Sequence, residues 1–177
     1  MTKFTIKTLR LGLRNWNDSD IAPFGEMCQN AEVMRHFPDL VSLEQATEQV
    51  HKYQQHFTEH GFTYFAVEAL SSGEFIGFVG LLHQTYESPF TPCVDIGWRL
   101  KKSAWGKGYA SEAAKACLEF AFESAGLDEV FAMCANTNAA SEAVMKKIGM
   151  QKVGTFDHPA IPSDSMLNPC LAYRASR

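Results

Sequence analysis

The sequence predicts an α/β protein in which a mixed sheet carries helices on both faces, in the order β-α-α-β-β-β-α-β-α-β-β. Residues 94–100 alternate apolar and other side chains with the period of two that is typical of a strand. Residues 110–121 place alanine, cysteine and leucine at helical spacing, with charged residues on the opposite face. Two β-rich runs, 62–69 and 75–83, flank the turn residues 71–73, which predicts an antiparallel hairpin.

The N-terminal segment predicts a strand, a helix and a further helical turn. Residues 9–14 alternate leucine with arginine or glycine, so we expect a strand with one exposed face. The side-chain oxygens of residues 17–20 are suitable N-caps for a helix that continues to about Asn30. A residue before proline avoids the α region, so the turn that starts at Ala31 should end before Pro38.

The second helix has clear signals at both ends. Ser42 and Gln45 have the spacing of a capping box, and Gly61 suits a C-terminal cap, which predicts a helix over 43–60. Its expected apolar stripe contains Leu43, Ala46, Val50, Tyr53 and Phe57. A loop is expected at 84–92, and a buried strand at 129–135. A helix should run from Asn138 to Gly149, with Ala140, Val144 and Ile148 stacked on one face. The last two strands are expected at 150–156 and 169–175, with a loop at 158–168 between them.

Composition limits the class of protein. With 177 residues, 46% of them hydrophobic, the chain is expected to form one domain over 1–177 without needing disulfide staples. The five scattered cysteines suggest reduced thiols in a cytoplasmic protein, and no metal site is expected. Neither a leader nor a membrane span is predicted, and a net charge of -4 disfavours nucleic acid as the main partner.

The segment 105–110, Trp-Gly-Lys-Gly-Tyr-Ala, joins the strand at 94–100 to the central helix. Its two glycines let a ligand approach the backbone, and the first turn of a helix offers unpaired N–H groups and a partial positive charge. Basic residues concentrate here: Arg99, Lys101, Lys102 and Lys107. The alternative is a tight turn without a ligand. Because the common ATP and dinucleotide patterns are missing, we expect a phosphorylated ligand other than substrate ATP or NAD.

This strand, loop and helix resemble motif A of the GNAT family of acyl-CoA-dependent N-acetyltransferases. The family pattern Q/R-x-x-G-x-G/A is matched by Gly106 and Gly108, whereas Ser103 departs from its first position. The resemblance implies the GNAT fold over nearly the whole chain and acetyl-CoA as co-substrate. It implies that loop amides hold the pyrophosphate and that the strand splays to admit the pantetheine arm. The cofactor-binding residues expected on this basis are Ile96, Gly97, Trp98, Leu100, Ser103, Ala104, Trp105, Gly106, Lys107, Gly108, Tyr109, Ala110, Asn138 and Lys147.

Further segments resemble the branch of the family that acetylates the N-termini of ribosomal proteins. They are Leu9–Arg14 followed by Asp20, Phe65-Ala66-Val67, Ile76-Gly77, Asp95-Ile96-Gly97, Asn138-x-x-Ser141 and Lys147-x-Gly149-Met150, the last with methionine for phenylalanine. The resemblance implies acetyl transfer to a primary amine, either a protein N-terminus or a small molecule. It does not identify the acceptor, because one scaffold serves many acceptors.

Such a reaction needs a hydrogen-bond donor that stabilises the oxyanion and a base that accepts the proton of the amine. A preorganised backbone N–H serves an oxyanion best, and the resemblance implies one near Ile96 and Gly97. For the base, Asp95 and Glu68 are strand carboxylates and His83 ends a strand, while a chain of water molecules without a single base is equally compatible. Each of these side chains has the alternative of a solvated surface position.

Asn138 and Ser141 begin the helix that follows the strand at 129–135, and two interpretations apply to them. In the first, Asn138 is an N-cap and Ser141 is an ordinary N3 residue. The resemblance implies instead that Asn138 contacts the pantetheine arm and that the Ser141 hydroxyl donates to the departing thiolate. His36 and His158 lie in loops, where a surface histidine is the favoured interpretation.

Two functions from different classes stay open at this point. The first is an N-acetyltransferase, and the second is an acyl-CoA-binding sensor without turnover, which suits the unidentified base and Ser103. A nucleotide-binding protein is disfavoured by the motif. The acceptor and the oligomeric state do not follow from the sequence, and a homodimer is one alternative.

Overall fold

A computed structural model describes residues 3–177 of the chain. Within that range the chain forms one mixed sheet of eight strands in the order β1-β2-β3-β4-β5-β6-β8-β7, with five α-helices. The strands are β1 (Ile6–Lys7), β2 (Leu11–Arg14), β3 (Tyr64–Ala69), β4 (Glu74–Gln84), β5 (Cys93–Leu100), β6 (Glu129–Ala135), β7 (Gln151–Phe156) and β8 (Cys170–Ser176). The helices are α1 (Ile21–Cys28), α2 (Ala31–Met34), α3 (Leu43–His60), α4 (Tyr109–Glu123) and α5 (Ala139–Lys147). The predicted fold class is confirmed.

The N-terminal strand differs from its prediction in two respects. A two-residue strand, β1, precedes it and pairs antiparallel with β2, and two residues are too few to give a periodic signal. The expected exposed face is wrong, because all four residues of β2 are buried. β2 lies between β1 and β3, and its Arg14 is paired with Asp20 and Glu68, while Leu9 lies before the strand and is 91% exposed.

The predicted bounds of α3 are confirmed, because both of its ends are set by local hydrogen bonds. Ser42 accepts from the Gln45 backbone N–H at 3.2 Å, and Gln45 accepts from the Ser42 backbone N–H at 2.8 Å. Gly61 ends the helix with φ 76°, a left-handed conformation that suits glycine. Leu43 belongs to the expected stripe but is 61% exposed, so the buried face of α3 starts at Ala46.

The sheet separates two apolar layers. On one side, α4 and α5 cover residues such as Ile96 and Leu100 of β5. On the other side, α1–α3 cover an aromatic cluster of Trp16, Phe24, Tyr53, Phe75 and Phe78. Since side chains alternate along a strand, Asp95 and Arg99 of β5 face the α1–α3 layer.

The helix α5 packs differently from the prediction. Ala140 is exposed and Val144 is half-buried, whereas Met145 is 1% exposed. The short helix is anchored by Met145 in the layer shared with α4. The face that carries Ala140 and Val144 lines a cavity, which is described below. Among the helices formed by residues 3–177, none has the length and hydropathy to span a membrane.

Candidate active site

The sheet opens between β5 and β6. Eight register pairs join β5 to β4 in antiparallel fashion. Over residues 3–177, β5 and β6 share a single parallel register pair, Asp95 with Phe131. The two strands therefore diverge beyond Asp95, and the backbone of residues 96–100 on the β6 side faces a cleft. This is the splayed strand that the family resemblance implies.

Two cavities meet at this opening. The first, of about 310 Å³, lies between α2, the end of β5, the glycine loop and α5. The second, of about 440 Å³, lies beside β4, β5 and β6 on the other side. Both are lined by His36, Phe37, Trp98, Arg99, Asn138 and Ser141, so they form one continuous cleft. A further cavity of about 510 Å³ beside α4, β7 and β8 is lined by none of the predicted site residues that the structure describes.

The glycine loop forms one wall of the first cavity. Gly106 and Gly108 have φ of 71° and 76°, a left-handed backbone that suits glycine, and Gly108 is the N-cap of α4. Arg10 pins the loop from the N-terminal segment: its Nη1 donates to the Lys107 carbonyl at 3.0 Å. The same guanidinium is ion-paired with Glu112 of α4 at 2.6 Å. The N-terminal N–H groups of α4 are thus presented beside the cavity by contacts that the sequence analysis did not find.

The expected cofactor residues divide into two groups. The first cavity is lined by Trp98, Leu100, Ala104, Trp105, Gly106, Gly108, Tyr109, Ala110 and Asn138, and the second by Ile96 and Gly97. Ser103, Lys107 and Lys147 are exposed and line neither cavity. The expected concentration of positive charge is also reduced, because Lys101 and Lys102 are ion-paired with Glu74 and Glu32.

Asp95 lies in the wall of the second cavity and is 8% exposed. Tyr64 Oη donates to Asp95 Oδ1 at 2.7 Å, and Gln84 Nε2 donates to Oδ2 at 3.2 Å. Burial raises the pKa of Asp95 to about 7, against the opposing effect of these two hydrogen bonds. A carboxylate with such a pKa can accept a proton near neutral pH. The alternative that Asp95 is a solvated surface residue is therefore wrong, because its side chain is buried.

Glu68 is not in the cleft, which corrects its expected position. Its carboxylate contacts Arg14 and, at 2.7 Å, Lys3, while Arg14 also donates to Asp20 at 2.6 and 2.9 Å. Burial opposes ionisation, but the hydrogen bonds from Lys3 and Arg14 outweigh it and lower the pKa of Glu68. It lines neither cavity and is a poor proton acceptor, because its lone pairs are already engaged by cations.

Asn138 and Ser141 lie where the two cavities meet. Asn138 Oδ1 accepts from the Ser141 backbone N–H at 3.1 Å, so Asn138 caps α5. This contact leaves the Ser141 hydroxyl available to the cleft. The capping role and a role in the cleft are compatible, because they use different atoms.

Three residues that line the cleft are not among the site residues that the sequence predicts. His36 lines both cavities and His158 lines the second, although both were interpreted as surface loop residues. The third is Arg99, whose Nε is buried without a hydrogen-bond partner in the described part of the chain. Its Nη1 donates to Cys28 Sγ at 3.3 Å, and its guanidinium lies 4.1 Å from the Phe37 ring centroid. Loop histidines and a lone strand arginine carry no periodic signal that would have identified them.

Comparison with known proteins gives consistent results. The family profile described as "Acetyltransferase (GNAT) domain" matches residues 10–151. An uncharacterized N-acetyltransferase of Bacillus subtilis (strain 168), YnaD, is 33% identical over 152 residues, which cover 85% of each chain. A GNAT-family acetyltransferase from Bacillus anthracis has a similar structure, with a TM-score of 0.79, 26% identity and 97% of each chain covered. RimL, a ribosomal L7/L12 alpha-N-protein acetyltransferase solved with coenzyme A, shares the fold with a TM-score of 0.74 and 18% identity over 96% of this chain and 95% of its own.

Proposed function

The chain belongs to the GNAT acetyltransferase family, and we propose that it transfers the acetyl group of acetyl-CoA directly to a primary amine within a ternary complex. The observation that carries this proposal is the continuous cleft through the opening between β5 and β6. One end holds the glycine loop at the start of α4, and the other holds a buried carboxyl group with a pKa of about 7. A donor and an acceptor can therefore meet from opposite sides.

Acetyl-CoA would bind in the first cavity. The backbone N–H groups at the start of α4 would hold the pyrophosphate, because the helix dipole and the unpaired N–H groups both favour an anion there. Left-handed glycines at 106 and 108 would keep side chains out of its path. The pantetheine arm would follow β5 toward Ile96, where the strand leaves β6. Supplied in this way, the thioester would lie between Asp95 and Ser141.

The chemical step would form one bond and break another. The amine nitrogen attacks the thioester carbonyl carbon, and Asp95 accepts the proton that the nitrogen loses. A backbone N–H of β5 near Ile96 and Gly97 would stabilise the oxyanion. When the carbon–sulfur bond breaks, the Ser141 hydroxyl would donate to the coenzyme A thiolate. The products are the N-acetylated amine and coenzyme A.

Arg99 supports a narrower class of acceptor, an amine that also carries an anionic group. Its guanidinium is held against Phe37 and Phe78, and its Nη1 donates to the thiol of Cys28. Burial raises the pKa of that thiol, so Cys28 does not balance the charge of Arg99. Arg99 lines both cavities and has no ion pair among residues 3–177, so a carboxylate on the acceptor would form charge-assisted hydrogen bonds with its guanidinium from the cleft. Peptides with an acidic residue next to the N-terminus belong to this class.

Replacing Arg99 by methionine should weaken an acidic acceptor selectively. Hydrogen bonds to charged groups contribute about 1.5–3 kcal/mol, so the KM for such an acceptor should rise roughly 10- to 100-fold. Peptides that differ only in aspartate or asparagine at the second position make the comparison, since Arg99→Met should abolish the preference between them. Arg99→Lys should restore it only in part, because lysine lacks the planar fork. If the KM for acetyl-CoA rises instead, Arg99 belongs to the acetyl-CoA site and not to the acceptor site.

Replacing Ser141 by alanine should lower kcat roughly 10- to 100-fold, the value of a hydrogen bond to a charged group. Melting temperature and the KM for acetyl-CoA should change little, because the Asn138 cap uses the Ser141 backbone N–H. Asn138→Ala should behave differently: it should destabilise the protein by about 1 kcal/mol through the lost cap and also raise the KM for acetyl-CoA. Wild-type turnover by Ser141→Ala, with chemistry rate-limiting, would show that Ser141 is only a helix residue.

The proposed function itself is tested by turnover. Purified protein should consume acetyl-CoA in the presence of an amine, measured as free thiol released, over a panel of peptide N-termini and polyamines. Mass spectrometry should find one acetyl group on the amine. Binding of acetyl-CoA without transfer to any amine would contradict the proposal and favour the sensor instead.

A further inference from the structure

Three histidines that are distant in the chain come together at the end of α3. His56 and His60 are one helical turn apart and therefore lie on the same face of α3. His83 lies near the end of β4. One ring nitrogen from each residue lies within 4.8 Å of the others, and His56 Nε2 is 3.0 Å from His83 Nδ1. The cluster lines neither cavity of the cleft.

The hydrogen bonds orient one of these rings for a cation. His56 Nδ1 is 2.8 Å from the Phe62 carbonyl oxygen, an acceptor, so the proton of the neutral ring lies on Nδ1. The lone pair of Nε2 then faces the cluster. A ligating histidine usually donates its second ring N–H to a carbonyl or carboxylate, which fixes its tautomer and orientation. His56 has that arrangement already.

The spacing suits a tetrahedral ion. Two imidazole nitrogens bound to zinc at about 2.0–2.1 Å are about 3.3 Å apart, close to the His56–His83 separation. A ring nitrogen of His60 lies within 4.8 Å of a ring nitrogen of His56 and of His83, so His60 would move closer to complete the set. His60 and His83 are exposed, which leaves the fourth position open to water.

The surroundings favour positive charge. α3 ends at His60, where the helix dipole contributes a partial negative charge. Glu59 Oε2 lies 3.8 Å from His60 Nε2.

We propose that His56, His60 and His83 bind one Zn²⁺ ion, with water as the fourth ligand. The spacing of His56 and His60 is that of helical histidine pairs which hold zinc in other proteins. The ion would connect the end of α3 to the end of β4, next to Gln84, whose side chain donates to Asp95. Its role is structural, because no histidine of the cluster reaches the cleft. This proposal does not depend on the proposed acetyl transfer.

The alternative is a hydrogen-bonded histidine cluster without a metal. In that arrangement His83 Nδ1 would carry a proton and donate to His56 Nε2, which also lies 3.3 Å from the His83 backbone N–H. The two arrangements differ in metal affinity, so titration separates them.

The test is calorimetric titration of metal-free, reduced protein with Zn²⁺, together with melting temperature at each metal concentration. We expect one ion per chain and a higher melting temperature with zinc, since a ligand that binds only the folded state stabilises it. His56→Gln, His60→Gln and His83→Gln should each weaken binding about tenfold or more, because each removes one of the three protein ligands. His51→Gln, at an exposed position of the same helix, is the matched control and should bind as wild type.

The five free cysteines are the competing ligands, and cobalt distinguishes them. A site of three imidazoles and water should give the Co²⁺ protein without the intense near-ultraviolet band that thiolate ligands produce. The proposal is overturned if wild type does not bind Zn²⁺, if the three cluster variants bind as tightly as the wild type, or if the cobalt spectrum shows thiolate ligation.

Discussion

Replacing Asp95 by asparagine is expected to lower kcat/KM by about 100-fold or more at pH 8, because general base catalysis typically contributes that much. In the wild-type protein kcat/KM should rise with pH up to about 7, as the Asp95 carboxyl group loses its proton. The asparagine variant should lack this rise. Rates measured from pH 5.5 to 8.5 test both statements, after correction for the fraction of the acceptor amine that is protonated at each pH.

The same substitution should raise stability at high pH. The pKa of Asp95 is raised from 3.8 to about 7, so between these values the folded state holds a proton that the unfolded state releases. Stability from this group is therefore lost as pH rises through that range, by at most about 4 kcal/mol when complete. Asparagine has no charge to bury, so Asp95→Asn should melt higher than wild type at pH 8 and about the same at pH 4.

Glu68→Gln provides the matched control, since Glu68 is a buried carboxylate outside the cleft. Its pKa is lowered, so its ionised form stabilises the folded state above the unfolded pKa, and neutralising it should lower the melting temperature at pH 8. The shape of the rate profile should stay that of the wild type. If Asp95→Asn and wild type have the same profile, a water chain rather than Asp95 receives the amine proton.

Replacing Gly108 by valine should weaken acetyl-CoA binding severely, by roughly 10- to 100-fold if one charge-assisted hydrogen bond to the pyrophosphate is lost. A Cβ at Gly108 lies 3.6 Å from Arg10 Nη2, so the added side chain would disturb the guanidinium that holds the Lys107 carbonyl. The loop would then no longer present its N–H groups to the pyrophosphate. Calorimetric titration with acetyl-CoA and with coenzyme A measures the effect. We expect the fold to survive.

Gly61→Val is the control that separates the effect of backbone strain from the effect of a lost contact with acetyl-CoA. Gly61 has the same φ, 76°, and a Cβ there has open space around it, at the end of α3. Both variants should lose comparable stability from a β-branched residue in a left-handed conformation, about 1–2 kcal/mol. Only Gly108→Val should lose affinity. An unchanged dissociation constant for a folded Gly108→Val protein would exclude the pyrophosphate cradle.

The sequence predicted elements well where the signal is local. The ends of α3 depend on Ser42, Gln45 and Gly61, which bond within a few residues of themselves, and both ends were confirmed. The turn at 71–73 and the antiparallel pairing of β3 with β4 were confirmed for the same reason. β1 was missed because two residues show no period, and they become a strand only by pairing with β2.

By itself the sequence determined the order of the elements after β1, except that it gave α2 only as a helical turn, and it determined the glycine loop before α4 and the family, because these depend on residues close together in the chain. Only the tertiary structure decided which of the two carboxyl groups has a raised pKa and which has a lowered pKa. Asp95 meets Tyr64 from 31 positions away and is desolvated, whereas Glu68 meets Arg14 from 54 positions away and is charged. Desolvation and long-range charge set a pKa, and both depend on packing rather than on spacing in the sequence.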